Sequence, residues 1–142
     1  LGDVYKRQNV SSYIPDSYIE NSSQKIEVYQ NIALCRNKED IENTKNDIID
    51  RFGKMPQEVE NLLKIARIKE ICNQKGIIKI TQRNNNIIFT FANNESFDMP
   101  IDELIKKYGD RIKFSPGKEP YITYKLKDQS KTLEEIKDFL KI

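Results

Sequence analysis

The sequence contains no histidine among its 142 residues. Histidine is the commonest general base and the commonest zinc ligand, so its absence removes the usual groups for acid–base catalysis and for a zinc site. Carboxylate chemistry stays open, but nothing in the sequence selects a pair of acidic residues for it. We therefore predict no catalytic residue and no metal site in this chain.

Motifs that bind phosphates or cofactors are also missing. There is no G-x-x-x-x-G-K-[ST] loop, no G-x-G-x-x-G turn and no C-x-x-C pair. The five glycines fall mostly at the ends of predicted elements, so no glycine-rich loop is left over. These absences favour a non-enzymatic module without a cofactor.

Long apolar runs and a signal peptide are absent as well. No apolar segment approaches the roughly 18 residues of a membrane-spanning helix, and the first residues lack the apolar centre of a signal peptide. The sequence therefore predicts a cytoplasmic protein without membrane contact. Its two cysteines, Cys35 and Cys72, are expected to be buried free thiols, because disulfides are rare in proteins that are not secreted.

The charges are nearly balanced, with 24 Lys and Arg against 22 Asp and Glu and a net charge of +2. A chain with this balance has no overall electrostatic attraction to nucleic acid. One basic cluster, Lys64, Arg67 and Lys69, has no interleaved aromatic residue. This pattern favours a solvated helix face over a nucleic-acid surface.

Helical periodicity predicts three helices in the first half of the chain. The first runs from an N-cap at Ser22 or Ser23 to Cys35, the second follows the N-cap Asn37, and the third follows Pro56. Gly53 and Gly76 are expected to end the second and third helices. The apolar stripe of the first helix is Ile26, Tyr29, Ile32 and Ala33, and that of the second is Ile41, Ile48, Ile49 and Phe52.

The period then changes from 3.6 to 2, which predicts strands. "IIKITQ" and "IIFTFA" flank the turn "RNNN", and "RIKFS" and "YITYKLK" flank the turn "PGKEP", so two β-hairpins are expected. A short helix at about residues 101–108 separates them. The last helix opens with Thr132 and Glu135 at the spacing of a capping box.

This order of elements predicts an α+β domain. Its N-terminal helices pack with a small antiparallel sheet of about four strands in two hairpins, and a C-terminal helix completes it. Residues 1–8 resemble a non-native or artefactual tail, and residues 9–21 an extended linker segment. Residues 22–142 are expected to form a single domain, since a chain of this length suits one core.

Three charged residues stand together just before the break at Gly53: Asp47, Asp50 and Arg51. At 100° per residue they fall on the outer half of the second helix. Asp47 precedes Arg51 by four residues, the favourable order for a surface salt bridge. The spacing leaves two interpretations open, a solvated salt bridge or a polar contact patch for a partner.

Four segments follow one another between about residues 10 and 81: "YIPDSYI", "YQNIA", "IIDRFGKMP" and "LLKIARIK". In order and spacing they resemble the C-terminal domain of the bacterial transcription-repair coupling factor. That family shows an I-P-x-x-Y-I entry segment, an L-I-D-R-F-G-x-x-P helix break and an L-L-x-I-A-R-L-R helix. Beyond residue 81 only the pattern of elements is similar.

The resemblance implies a non-catalytic regulatory domain of a larger protein. Full-length members are ATP-driven DNA translocases whose motor domains use ATP and Mg; they contact duplex DNA, displace stalled RNA polymerase and recruit nucleotide excision repair through UvrA. Their C-terminal domain packs on the UvrA-binding domain and masks it, through a patch that maps to Asp47, Asp50 and Arg51. Asp47 stands where a longer Glu is expected. As an isolated domain the chain is expected to be a monomer.

The residues alone keep one alternative open, a small nucleic-acid-binding or protein-interaction module that is unrelated to repair.

Overall fold

The computed structural model describes residues 5, 6 and 10–140. The chain divides into two compact units, one formed by residues 8–70 and the other by residues 71–142 with residues 1–7. The long third helix continues from the first unit into the second. The predicted tail at residues 1–8 lies outside the described residues, apart from Tyr5 and Lys6, and the predicted division at residue 22 stays a prediction.

The first unit is built from three helices. They are α1 (Ser22–Ala33), α2 (Lys38–Phe52) and the larger part of α3 (Gln57–Lys75). Asn37 is the N-cap of α2, as predicted, and its side chain accepts a hydrogen bond from the amide of Asp40 at 2.8 Å. Gly53 ends α2 with φ of 87°, a left-handed conformation that glycine adopts without strain.

The core of this unit is aliphatic and includes the segment before α1. Ile14 and Ile19, from residues 9–21, are 3% and 1% exposed. The helices contribute Val28, Ile32, Ile41, Ile48, Val59, Leu62, Leu63 and Ala66. The segment that the sequence predicted as an extended linker therefore supplies two core residues.

Two predictions for α1 are wrong. Its N-cap is Asn21, whose side chain accepts from the amide of Gln24 at 3.0 Å, instead of a serine. Of its predicted stripe only Ile32 is buried, together with Val28 from outside the stripe, while Ile26 is 57% exposed. The hydrophobic residues of α1 lie on two sides of the helix, and packing against α2 decides which side is buried.

The second unit is an antiparallel sheet with helices. The strands are β1 (Tyr5–Lys6), β2 (Ile77–Arg83), β3 (Asn86–Phe91), β4 (Ile112–Ser115) and β5 (Tyr121–Lys125), and the helices are α4 (Ile101–Tyr108) and α5 (Thr132–Leu140). Four strands pair antiparallel in the order β2-β3-β5-β4, and the two-residue β1 pairs parallel to β2. The α+β fold, the two hairpins and the C-terminal helix are thus confirmed.

One face of the sheet packs on aromatic residues from the helices. The ring of Phe89 in β3 stacks on Phe139 of α5, with centroids 4.6 Å apart. Tyr108 of α4 meets Tyr124 of β5 edge to face at 5.2 Å. Phe89, Phe139 and Tyr124 are all at most 2% exposed, so this aromatic layer is the centre of the second core.

The predicted capping box at the start of α5 does not form. The Thr132 hydroxyl donates to the carbonyl of Gln129 at 2.8 Å. Glu135 instead accepts hydrogen bonds from the amides of Lys127 at 2.9 Å and Asp128 at 2.7 Å. A short 3-10 turn at Gln129–Lys131 precedes α5, and its N-cap Asp128 accepts a hydrogen bond from the amide of Ser130 at 2.9 Å.

Glu135 also binds two side chains of the sheet region. It accepts from the Tyr124 hydroxyl at 2.6 Å and from Arg111 at 3.3 Å. Desolvation raises the pKa of Glu135, but the hydrogen bonds from Lys127, Tyr124 and Asp128 and the charge of Arg111 outweigh it, so the pKa lies below its usual value. Burial, with the neighbouring Glu135, raises the pKa of Tyr124.

This network predicts a loss of stability in acid. Because the pKa of Glu135 is depressed in the folded state, its stabilising contribution is present above the usual value of 4.5 and is lost as the pH falls through the folded value. The difference in urea midpoint between wild type and Glu135→Gln should therefore be constant near neutral pH and shrink below about pH 4. A difference that is independent of pH down to acid unfolding would contradict this prediction.

Both cysteines are free thiols. Cys72 is buried, and burial raises its pKa to about 12, so it stays protonated. Cys35 is only partly buried, and its Sγ lies 3.3 Å from the Thr44 hydroxyl. No helix within the described residues has the length and apolarity to cross a bilayer.

Candidate docking surface

The predicted patch lies on the outward side of α2, next to α1. Asp47, Asp50 and Arg51 are all exposed, while Ile41 and Ile48 on the other side of α2 are buried. The exposed side chains of Asp47 and Arg51 stand one helical turn apart, as i, i+4 spacing requires. The helix therefore presents all three residues to solvent, as the sequence predicted.

Arg51 makes its shortest contact with a residue of α1. Its Nη1 donates to Glu27 Oε1 at 2.8 Å and lies 3.6 Å from Asp47 Oδ2. The guanidinium also stacks on the ring of Phe52, 4.9 Å from its centroid. The hydrogen bond that Arg51 donates to Glu27 is the main cause that raises the pKa of Arg51, so the guanidinium stays charged.

Tyr18 contacts the C-terminal end of α2. Its hydroxyl donates to the carbonyl of Gly53 at 2.7 Å, and its ring packs against Phe52 with centroids 6.1 Å apart. Burial raises the pKa of Tyr18, which keeps the hydroxyl a donor. The "DRFG" turn is therefore anchored, and Arg51 projects from a fixed backbone.

Asp50 differs from its two neighbours. Its side chain is exposed and has no hydrogen bond and no ion pair with the part of the chain that the structure describes. A carboxylate without a partner contributes little to the stability of its own fold. It is therefore free to bind a cation of another surface.

An open groove of about 410 Å³ continues the surface along α1 and α2. Its lining residues are Asn31, Leu34, Cys35, Asp40, Asn43, Thr44 and Asp47. Leu34 is 67% exposed and adds an apolar side chain to this groove. We define the docking surface as this groove together with Glu27, Asp50 and Arg51.

The docking surface is acidic. It carries the four carboxylates of Glu27, Asp40, Asp47 and Asp50 and the single guanidinium of Arg51. Such a surface suits a basic partner. Within residues 10–140 the structure shows no group of three or more Cys, Asp or Glu side chains placed to hold a metal ion.

Two parts of this surface were missed at the level of sequence. Glu27 precedes Arg51 by 24 residues, so no helical spacing connects them. Leu34 was included in the first helix without a role. The pairing of Glu27 with Arg51 depends on the way α1 packs against α2. Only knowledge of which side of α1 faces α2 could have indicated it.

The contact between Arg51 and Glu27 has only a small structural role. The Arg51–Glu27 pair joins α1 to α2, and its side chains are 33% and 53% exposed. Exposed pairs of this kind are screened by salt and contribute little to stability. The pair orients Arg51 more than it stabilises the unit.

Comparison with known proteins finds similar sequences along most of the chain. The family model of the TRCF domain matches residues 8–101. The transcription-repair-coupling factor of Rickettsia prowazekii (strain Madrid E) is 31% identical over 121 residues, which are 85% of this chain and 11% of that protein. The same-named protein of Bacillus subtilis (strain 168) is 30% identical over 125 residues, again 85% of this chain and 11% of that protein.

A solved structure shares the fold. The crystal structure of the C-terminal domain of a transcription-repair coupling factor superposes with a TM-score of 0.73 and covers 98% of this chain and 91% of that chain. The identity is 21%, so this match concerns the fold alone. The chain spans 11% of the length of the two curated relatives named above.

Proposed function

Because the chain belongs to the transcription-repair coupling factor family, we propose that it is a non-catalytic regulatory C-terminal domain of such a factor. In this proposal it docks on a UvrA-binding domain of the same protein. The docking restrains an ATP-driven DNA translocase that displaces stalled RNA polymerase and recruits nucleotide excision repair. The family match does not favour the alternative of a module unrelated to repair.

The observation that supports this function is the set of contacts that Asp47, Asp50 and Arg51 make on the docking surface. Arg51 is fixed between Glu27 and Asp47, and Asp50 beside it has no partner within the described residues. Fixed charges lose little conformational entropy on binding, so they suit a specific contact. A polar surface is also compatible with a contact that must open and close.

A weak contact is sufficient for such a restraint. Exposed ion pairs are individually weak and are screened by salt. When two domains are joined in one chain, their effective concentration can reach millimolar values, so even a weak contact stays mostly closed. Binding of another partner can then open it without a large energetic cost.

The proposal assigns the catalytic parts to the rest of the parent protein. ATP and Mg would bind the motor domains, and the contacts with RNA polymerase, UvrA and duplex DNA would belong to the parent. This chain would contribute no catalytic residue and no cofactor site. The parent is expected to be cytoplasmic and the isolated domain to be a monomer.

The test is a UvrA pull-down with the full-length parent carrying Asp50→Ala and Arg51→Ala. If the docking surface masks the UvrA-binding domain, the double variant should retain several-fold more UvrA than wild type and should hydrolyse ATP faster. The expected increase follows from the loss of both an acidic and a basic contact at the centre of the surface.

A matched control exists on the same helix. Lys38→Ala with Glu42→Ala also removes one cation and one anion from exposed positions of α2, but on a different side. This control should bind UvrA like wild type. Equal UvrA binding by wild type and the Asp50/Arg51 variant, with an unchanged circular dichroism spectrum, would exclude the docking role.

A single substitution separates docking from folding. Asp50→Lys reverses a charge that has no partner within the described residues, so the fold should tolerate it. If UvrA binding rises with Asp50→Lys as well, the effect belongs to docking. If only Arg51→Ala acts and the domain also unfolds more easily, the Glu27–Arg51 contact is structural.

A further inference from the structure

The four antiparallel strands of the second unit carry cations and no acid. Their charged residues are Lys79, Arg83, Lys113 and Lys125, and no Asp or Glu occurs in any of the four. Acidic residues of the surrounding helices and loops cancel this charge in the composition, which is why the net charge of +2 does not indicate it.

The pairing register places all four cations on one face of the sheet. Directly opposed residues of antiparallel strands point to the same side, and so do alternate residues of one strand. The register defines three rows of opposed residues that run across the strands from β2 towards β4. The first row is Lys79, Thr90, Tyr121 and Ser115, and the second is Thr81, Ile88, Thr123 and Lys113. The third row is Arg83, Asn86 and Lys125. The opposite face carries the buried aromatic layer with Phe89 and Tyr124.

The four cations on this outer face are exposed. None of them has an ion pair or a side-chain hydrogen bond with residues that the structure describes. Between them lie the hydroxyls of Thr81 and Thr123 and the ring of Tyr121, which is 39% exposed. The face therefore offers unpaired positive charge together with hydrogen-bond donors.

The spacing of the cations suits an extended chain of anions. Lys79 and Arg83 are four residues apart on β2, a distance of about 13 Å at 3.3 Å per residue. Arg83 and Lys125 are separated by one strand, and strands lie about 4.8 Å apart, so these cations stand about 10 Å from each other. A flexible polyanion that crosses the strands can meet all four.

We propose that this sheet face binds the phosphodiester backbone of a single-stranded nucleic acid. The unpaired cations neutralise phosphates, the threonine hydroxyls donate to phosphate oxygens, and Tyr121 provides one ring on which a base can stack. An open sheet face fits an extended single strand, whereas a duplex groove is usually entered by a protruding helix or ribbon.

An acidic protein is a poorer fit for the same face. Protein interfaces rely on apolar anchors that enter pockets, and they are enriched in buried aromatic residues. Here Ile88 is partly buried between threonines, and Tyr121 is the one aromatic side chain among the described residues of the face. The charge and the hydroxyls thus carry the recognition, and these favour phosphate.

The test measures fluorescence anisotropy of a short labelled oligothymidylate with the 142-residue chain. Four neutralised phosphates give a slope of log K against log salt of about −3, a loss of about 50-fold between 50 and 200 mM salt. Replacing two of the cations, in Lys79→Gln with Lys113→Gln, should halve this slope and weaken binding about tenfold at low salt. A normal circular dichroism spectrum must accompany the loss.

The matched control removes two exposed cations outside the sheet face, in Lys106→Gln with Lys131→Gln. It should keep the slope and the affinity of wild type. Three results would overturn the proposal: equal loss in the control, equal affinity for a duplex, or equally effective competition by polyglutamate. The last result would assign the face to an acidic protein instead.

Discussion

Replacing Glu135 with alanine should lower the free energy of unfolding by about 3 kcal/mol. Its side chain is 15% exposed, and it accepts from two backbone amides, the Tyr124 hydroxyl and Arg111. Alanine would leave the amides of Lys127 and Asp128 without their acceptor. It would also leave the Arg111 charge without its buried partner, which is the costly part of breaking such a network.

Urea unfolding followed by circular dichroism measures this loss. Asp138→Ala is the matched control, because Asp138 is an acid of the same helix whose side chain is 64% exposed, so water can replace its contacts with Lys107 at 3.3 Å and with the Tyr108 hydroxyl at 3.2 Å. The control should leave the midpoint nearly unchanged. If Glu135→Ala unfolds at the midpoint of Asp138→Ala, solvent has replaced the four hydrogen bonds at little cost and the network is not a stabilising one.

Local chemistry accounts for the parts of the fold that were predicted correctly. Asn37 begins a helix because its side chain can accept from the third amide of the helix, and Gly53 ends it because the chain must enter the left-handed region. Both causes act within a few residues. The hairpins follow from turn residues between alternating apolar runs, which is again a short-range signal.

The side of α1 that is buried was not predictable in the same way. Ile26 and Tyr29 have the same spacing as a core stripe, but they are 57% and 38% exposed. Ile32 of the predicted stripe is buried, at 2% exposed, but its buried neighbour on α1 is Val28, at 1%, which the stripe did not include. A short helix with apolar residues on two sides gives no preference by itself, and contacts with α2 make the choice.

The charge networks were not predicted, because their partners lie far apart in the sequence. Glu135 was interpreted as part of a local capping box, yet Tyr124 and Arg111 lie 11 and 24 residues before it. Glu27 and Arg51 likewise meet across 24 residues. Helical spacing detects pairs within one element, so it found Asp47 with Arg51 and could not find the shorter contact with Glu27.

Replacing Gly76 with alanine should also destabilise the chain by about 3 kcal/mol. Gly76 has φ of 75°, where an L side chain costs about 1 kcal/mol. An added Cβ would lie 2.7 Å from Ser96 Cβ and 2.9 Å from the Ser96 carbonyl oxygen, and overpacking of this kind costs about 1–3 kcal/mol. Ser96 cannot retreat freely, because its amide and hydroxyl both donate to Asn93 at 2.7 and 2.9 Å.

Gly109→Ala separates the two causes. Gly109 also has positive φ, at 59°, but nothing lies within 4 Å of an added Cβ, so its substitution should cost only the backbone part of about 1 kcal/mol. Thermal and urea unfolding should therefore show that the Gly76→Ala variant is much less stable than the Gly109→Ala variant. Equal stability of the two would mean that the segment around Ser96 moves aside at no cost. In that case the close approach of Gly76 to Ser96 would not be the reason that glycine ends α3.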